Sequence, residues 1–117
     1  MKIPEKVRIA GVEYAVCREW KLNDGQHVLA GQIHYDKAKI SLSEDLQGDA
    51  VLLTLWHEIM HGIVRNAQLD LEDEEAVVEA MARGIFQVLA DNEERLFDLE
   101  AKVPVAMGGV ANAKDKT

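Results

Sequence analysis

A chain of 117 residues has material for one domain and too little for two, and 48% apolar residues suffice for a single core. A formal charge of -8 repels phosphate and argues against nucleic-acid binding, and the lone Cys17 excludes a disulfide scaffold. No apolar run reaches the roughly 18–20 residues that span a bilayer, so no membrane partner is expected. The opening Met1-Lys2-Ile3-Pro4-Glu5-Lys6 lacks a signal peptide's apolar stretch, which points to the cytoplasm.

The first forty residues alternate between apolar and polar. Lys6-Val7-Arg8-Ile9-Ala10 and Glu13-Tyr14-Ala15-Val16-Cys17 read as two strands joined by a tight turn at Ala10-Gly11. Residues 21–30, with their Asn-Asp-Gly signal, predict an irregular loop. A second hairpin follows, from Gly31-Gln32-Ile33-His34-Tyr35 through a turn at Asp36-Lys37-Ala38 into Lys39-Ile40-Ser41-Leu42. Together these predict a small N-terminal antiparallel sheet.

Beyond Ser43 the period changes. From Ala50 to Arg65 the apolar positions recur helically, after an N-cap offered by Gly48-Asp49, and place Leu52, Leu55, Trp56, Ile59, Met60 and Ile63 on one arc. A second helix is predicted from about Leu71 to Asp91, with Asp70 as cap and a buried stripe of Val77, Val78, Met81, Ala82, Ile85, Val88 and Leu89. Residues 92–100 prolong it or form a short third helix, and 101–117 read as a loose tail. The expected architecture is thus α+β, with residues 1–100 as one domain of sheet first and helices second.

The first helix carries His57-Glu58-Ile59-Met60-His61, an H-E-x-x-H sequence. Residues four apart lie about 40° apart on a helix, so the two imidazoles project side by side and can hold one Zn²⁺. Glu58 then stands beside the metal, where it can take a proton from the activated water and pass it to a leaving amine. Both histidines fall at the border of the apolar arc and Glu58 outside it. A third protein ligand is needed. Val64 and Ala67 occupy the places where a metzincin has glycine and histidine, and no histidine follows His61, so a downstream ligand must be a carboxylate. The second helix offers Glu72, Asp73, Glu74, Glu75 and Glu79. Glu72 and Asp73 read as acids favoured by the helix dipole. Glu75 projects about 70° from the centre of the buried stripe, with Glu79 one turn on along the same flank. One of the two can bind metal while the other orients a histidine.

At these residues the chain resembles the gluzincin pattern of the ImmA/IrrE-type metallopeptidases. His57-Glu58-x-x-His61 is followed by Glu75-x-x-Val78-Glu79-x-Met81-Ala82, where the family reads E-x-x-A-N-x-F-A. The layout of residues 30–90 also looks like the very small zincin-like proteins common in phage and prophage genomes. The resemblance implies one Zn²⁺ per chain on His57, His61 and Glu75, with Glu79 orienting a histidine or itself ligating. It implies a peptide or protein substrate, hydrolysed with Glu58 as general base. The alternative is a non-catalytic protein that keeps the fold and metal to bind a partner.

Zincins bind substrate as an added strand on the sheet edge beside the metal, which nominates the hairpin of Ile33-His34-Tyr35. His34 or Tyr35 can there polarise the scissile carbonyl. His27 and Arg83 read as surface residues, and Trp56 and Phe86 as core.

Overall fold

The computed structural model describes residues 2–96, 98 and 103–106. Four strands, β1 (Lys6–Ile9), β2 (Val12–Glu19), β3 (Gly31–His34) and β4 (Lys39–Ser43), precede two helices, α1 (Asp49–Asn66) and α2 (Glu74–Leu96). The protein is α+β, sheet first and helices second. The tail expected over 101–117 lies outside the described residues except at 103–106.

Both hairpins form where the alternation predicts them. Ala10 and Gly11 both take positive φ (51° and 83°), the backbone of a two-residue turn whose twist matches its strands. The sheet itself is mixed rather than antiparallel. Its order is β1-β2-β4-β3, and β2 and β4 pair in parallel at the centre. Each hairpin contributes its second strand to the middle, which sets Val16 against Ile40 and Arg18 against Leu42. The Arg18 guanidinium then reaches across and donates to the carbonyls of Ser43, Glu44 and Leu46, holding the exit from the sheet toward α1. In the intervening loop, Asp24 accepts the N–H groups of Gln26 and His27, and one bridge joins Asn23 to Val28.

One face of the sheet packs on α1 through Ile9, Tyr14, Ile40, Leu42, Val51 and Leu55. A second cluster, Met60, Val64, Val78 and Ala82, binds α1 to α2. Helix α1 is therefore a middle layer, and its buried positions run all round it: Val51, Leu55 and Gly62 as well as Met60 and Val64. Ile63, expected inside, is 44% exposed. Close packing of α1 on the sheet depends on Gly62, where a Cβ would lie 2.9 Å from Ile9 Cδ1.

Helix α2 starts three residues later than predicted. Its cap is Asp73 rather than Asp70: the Asp73 carboxylate accepts the Ala76 N–H. It runs on to Leu96 across a break at Asn92 (φ -132°). Of its predicted stripe only Val78 and Ala82 are buried, whereas Val77, Met81 and Val88 are 42%, 52% and 54% exposed. The reason is geometric. α2 touches α1 and no strand, so one neighbour covers only part of its apolar arc.

Candidate metal centre

His57 and His61 leave α1 one turn apart, as the spacing requires, and meet the first two turns of the antiparallel α2. Each imidazole is fixed by a carboxylate at Nδ1. His57 Nδ1 donates to Glu79 Oε1 at 3.0 Å, and His61 Nδ1 donates to Glu74 Oε2 at 2.6 Å. A carboxylate can only accept, so these contacts place a proton on each Nδ1 and turn both Nε2 atoms inward.

There they converge with a third acceptor. The two Nε2 atoms stand 3.2 Å apart, and the Glu75 carboxylate lies 3.2 Å from His57 Nε2 and 2.6 Å from His61 Nε2. These three ligand atoms lie within 4.8 Å of one another and form a possible metal-binding triad. Donors bound tetrahedrally to zinc at roughly 2.0–2.2 Å sit about 3.3–3.6 Å apart, against 3.2 Å between the two Nε2 atoms here. Two imidazole nitrogens with one carboxylate oxygen is also a donor set zinc accepts. Without a proton or a metal ion between them these groups repel.

The two glutamates stand at different atoms: Glu75 at both Nε2 atoms and Glu79 at His57 Nδ1. Glu79 is itself held from behind by Arg83, whose Nε and NH2 both lie 2.9 Å from Glu79 Oε2. The His57 bond, then Arg83, keep the Glu79 carboxyl below its usual range. Arg83, read as a surface residue, is exposed but lines the cleft. Glu74 is the residue that the sequence reading passed over. Its position next to Glu75 was the available signal, because a helix turning by 100° per residue can aim adjacent side chains at opposite flanks of one site. His61 is drawn down by burial, yet the Glu74 bond and the charges of Glu58 and Glu75 outweigh this and leave it above its ordinary value.

Glu58 is buried, at 7% exposure, although the helical wheel places it outside the apolar arc. The edge strand β3 covers it. Gly31 permits that approach: a Cβ there would sit 2.7 Å from Thr54 Cγ2 and 3.2 Å from Glu58 Oε2. Burial pushes the Glu58 carboxyl up, opposed by the neighbouring imidazoles and by the Ile33 backbone N–H.

The register of β3 explains how that N–H is available. Ser43 N–H bonds to Ala30 C=O, so residues 30, 32 and 34 exchange the ladder bonds with β4, and Gly31 and Ile33 turn their backbone groups to the free edge. That edge, the N-terminal half of α1 and the start of α2 enclose a cleft of about 780 Å³ lined by Gly31, Tyr35, Leu53, Glu58 and the two histidines, among others.

Of the two oxyanion candidates, Tyr35 lines this cleft and His34 does not. His34 has the opposite parity in β3, pairs with Lys39 and shares the outer sheet face with Glu19. Its Nε2 is buried without a hydrogen-bond partner among the described residues. The Tyr35 ring lies under the Arg65 guanidinium at 4.0 Å, and burial raises its phenol above the ordinary value. His27 is exposed in its loop, and Trp56 and Phe86 are half-buried. Compared with models of known families, with curated proteins and with solved structures, the chain matches none.

Proposed function

We propose that the chain is a zinc-dependent metallopeptidase of zincin-like arrangement, with His57, His61 and Glu75 holding one Zn²⁺. The observation that carries this reading is the convergence of three lone-pair donors beside a buried carboxylate, on the free edge of a strand. Zinc bound there would supply Lewis acidity, polarising a carbonyl and making water a nucleophile near neutral pH.

The chain's own residues do the rest. The free N–H and C=O groups of Gly31 and C=O of Ile33 can pair with an extended peptide as a fifth strand. Glu58, desolvated and so more basic than a surface carboxylate, accepts the proton of the attacking water and returns it to the departing amine. Tyr35, which lines the cleft, can donate its hydroxyl to the oxygen of the scissile carbonyl. Glu79 and Glu74 keep both imidazoles in the tautomer that presents Nε2. Their absence would leave the rings free to turn.

Digestion of a diverse peptide library tests the proposal. The zinc-loaded wild type should cleave, chelation should stop it, and Glu58→Gln should retain zinc while losing roughly 10²–10⁴-fold in rate. A zinc-loaded wild type that cleaves nothing supports the non-catalytic alternative instead.

A further inference from the structure

The cleft beside the metal site has two unlike ends. Glu74 meets His61 and Glu79 meets His57, so α2 crosses the site antiparallel to α1. Arg83, one turn beyond Glu79, therefore falls beside the turn of α1 that precedes His57. Strand β3 runs the same way as α1, because Gly31 lies against Thr54 and Glu58 while the Tyr35 ring meets Arg65. One end of the cleft thus gathers Gly31, Leu53, Thr54 and Arg83, and the other Tyr35, His61 and Glu74.

Among the described residues Arg83 is the only Lys or Arg that lines this cleft, against Glu58, Glu74, Glu75 and Glu79. Its contact with Glu79 engages Nε and Nη2, both on the single atom Oε2. Both hydrogens of Nη1 and the second hydrogen of Nη2 have no partner among the described residues. They form the fork with which a guanidinium grips a carboxylate through paired hydrogen bonds.

We propose, on the footing of the peptidase reading, that Arg83 binds a carboxylate of the substrate on the C-terminal side of the scissile bond. Two observations set that side. A peptide added to β3 pairs more stably antiparallel than parallel, and an antiparallel strand runs from the Tyr35 end toward the Gly31 end. The residues after the cut then lie beside Arg83. The charges agree, since an anion at the Tyr35 end would meet Glu74, whereas at the Gly31 end it meets the guanidinium. One helical turn from Glu79 to Arg83 is about 6 Å, or about two residues of extended chain, so the carboxylate belongs within about two residues of the cut. It is either the peptide's own C-terminus or an Asp or Glu side chain. The Arg83 side chain is 63% exposed, so solvent screens the pair and its expected effect is roughly fivefold in affinity.

Affinity selection of randomised, N-acetylated hexapeptides on the zinc-loaded Glu58→Gln chain, read by mass spectrometry, tests this without cleavage. The peptides are supplied as free acids, as C-terminal amides, and as amides carrying one Asp or Glu. Carboxylate-bearing sets should be enriched over neutral amides roughly fivefold, less at high salt, and adding Arg83→Gln should bring the ratio to about one. Enrichment of free acids alone identifies the terminus, and of acidic amides alone a side chain. A merely structural role for Arg83, through Glu79 and His57, would weaken zinc and every peptide alike and leave the ratio unchanged; that result overturns the proposal. So does selection of no peptide, or a digest by the wild type whose products carry the preferred acid before the cut. Cleavage with no preference for acids refutes the Arg83 site and leaves the peptidase, whereas Arg83-dependent selection with no cleavage by the wild type does the reverse.

Discussion

Removing one glutamate at a time should separate the centre's ligand from the residues that orient its histidines. Zinc that binds only the folded state adds RT ln(1 + [Zn]/Kd) to its stability, about 2.7 kcal/mol at a hundred times Kd. For a chain of this size that corresponds to a rise in Tm of roughly 10–20 °C. Glu75 lies within 3.2 Å of both Nε2 atoms, so Glu75→Gln removes one of three protein donors and should abolish the rise. Glu79 and Glu74 each touch a single Nδ1, and losing such a partner weakens metal affinity about 10–100-fold. A tenfold loss at the same zinc concentration leaves about 1.4 kcal/mol, or half the rise, and a hundredfold loss leaves about 0.4 kcal/mol. Glu74 makes the shorter contact and, among the described residues, no other ion pair, whereas Glu79 also serves Arg83, so Glu74→Gln should cost at least as much as Glu79→Gln. Differential scanning fluorimetry with and without zinc, backed by competition with a chelator, reads all three variants. Full zinc stabilisation in Glu75→Gln with none in Glu79→Gln would reverse their roles. An unchanged response in all three would remove α2 from the site, and no response in the wild type would refute the metal centre.

Glu58 makes a prediction about pH in the metal-free protein. Its folded carboxyl titrates above the ordinary carboxylate value, so the fold favours the protonated form, and the stability this contributes at low pH is lost as pH rises through the folded value. Glu58→Gln should therefore melt higher than wild type at pH 7, with the difference fading toward pH 4; a constant difference would contradict the burial argument. Gly31→Ala forces Thr54 or Glu58 aside and should cost roughly 1–3 kcal/mol in chemical denaturation while lowering peptidase turnover more than zinc content. If that variant is as stable and active as wild type, β3 does not approach α1 as closely as drawn here.

Local pattern made most of the elements legible. The two-residue period marks both hairpins, the 3.6-residue period marks α1, and the i, i+4 spacing of His57 and His61 sets their imidazoles side by side. What remained hidden depends on non-local neighbours. The parallel pairing of β2 with β4 joins two hairpins through positions that neither hairpin specifies alone, so the sheet reads as antiparallel from sequence and is mixed. Glu58 looks solvent-facing on a wheel because the wheel knows only its own helix; the cover comes from β3 and from the missing Cβ of Gly31. Glu74 is hidden among acids that a helix start favours anyway, and only the position of His61 distinguishes it from Glu72. Val77, Met81 and Val88 show the reverse error, since apolar periodicity reports what a helix can bury and not whether a neighbour arrives to cover it.

The same reasoning explains why so acidic a cluster belongs at this point of the fold. Glu58, Glu74, Glu75 and Glu79 gather round two imidazoles, with Arg83 as the cation paired to one of them. Glu58 is desolvated, and the Nε2 atoms of His57 and His61 stand 3.2 Å apart with the Glu75 carboxylate against both. Such an arrangement opposes folding at neutral pH unless protons or a metal ion enter it. Either cation relieves the repulsion, but a proton on Nε2 would only bridge to Glu75, whereas a divalent ion engages all three donors at once. Glu58, whose burial costs stability in the metal-free chain, would move the proton, and the donors crowded beside it would bind the ion. The core between sheet and α1 supplies the excess that holds them in place.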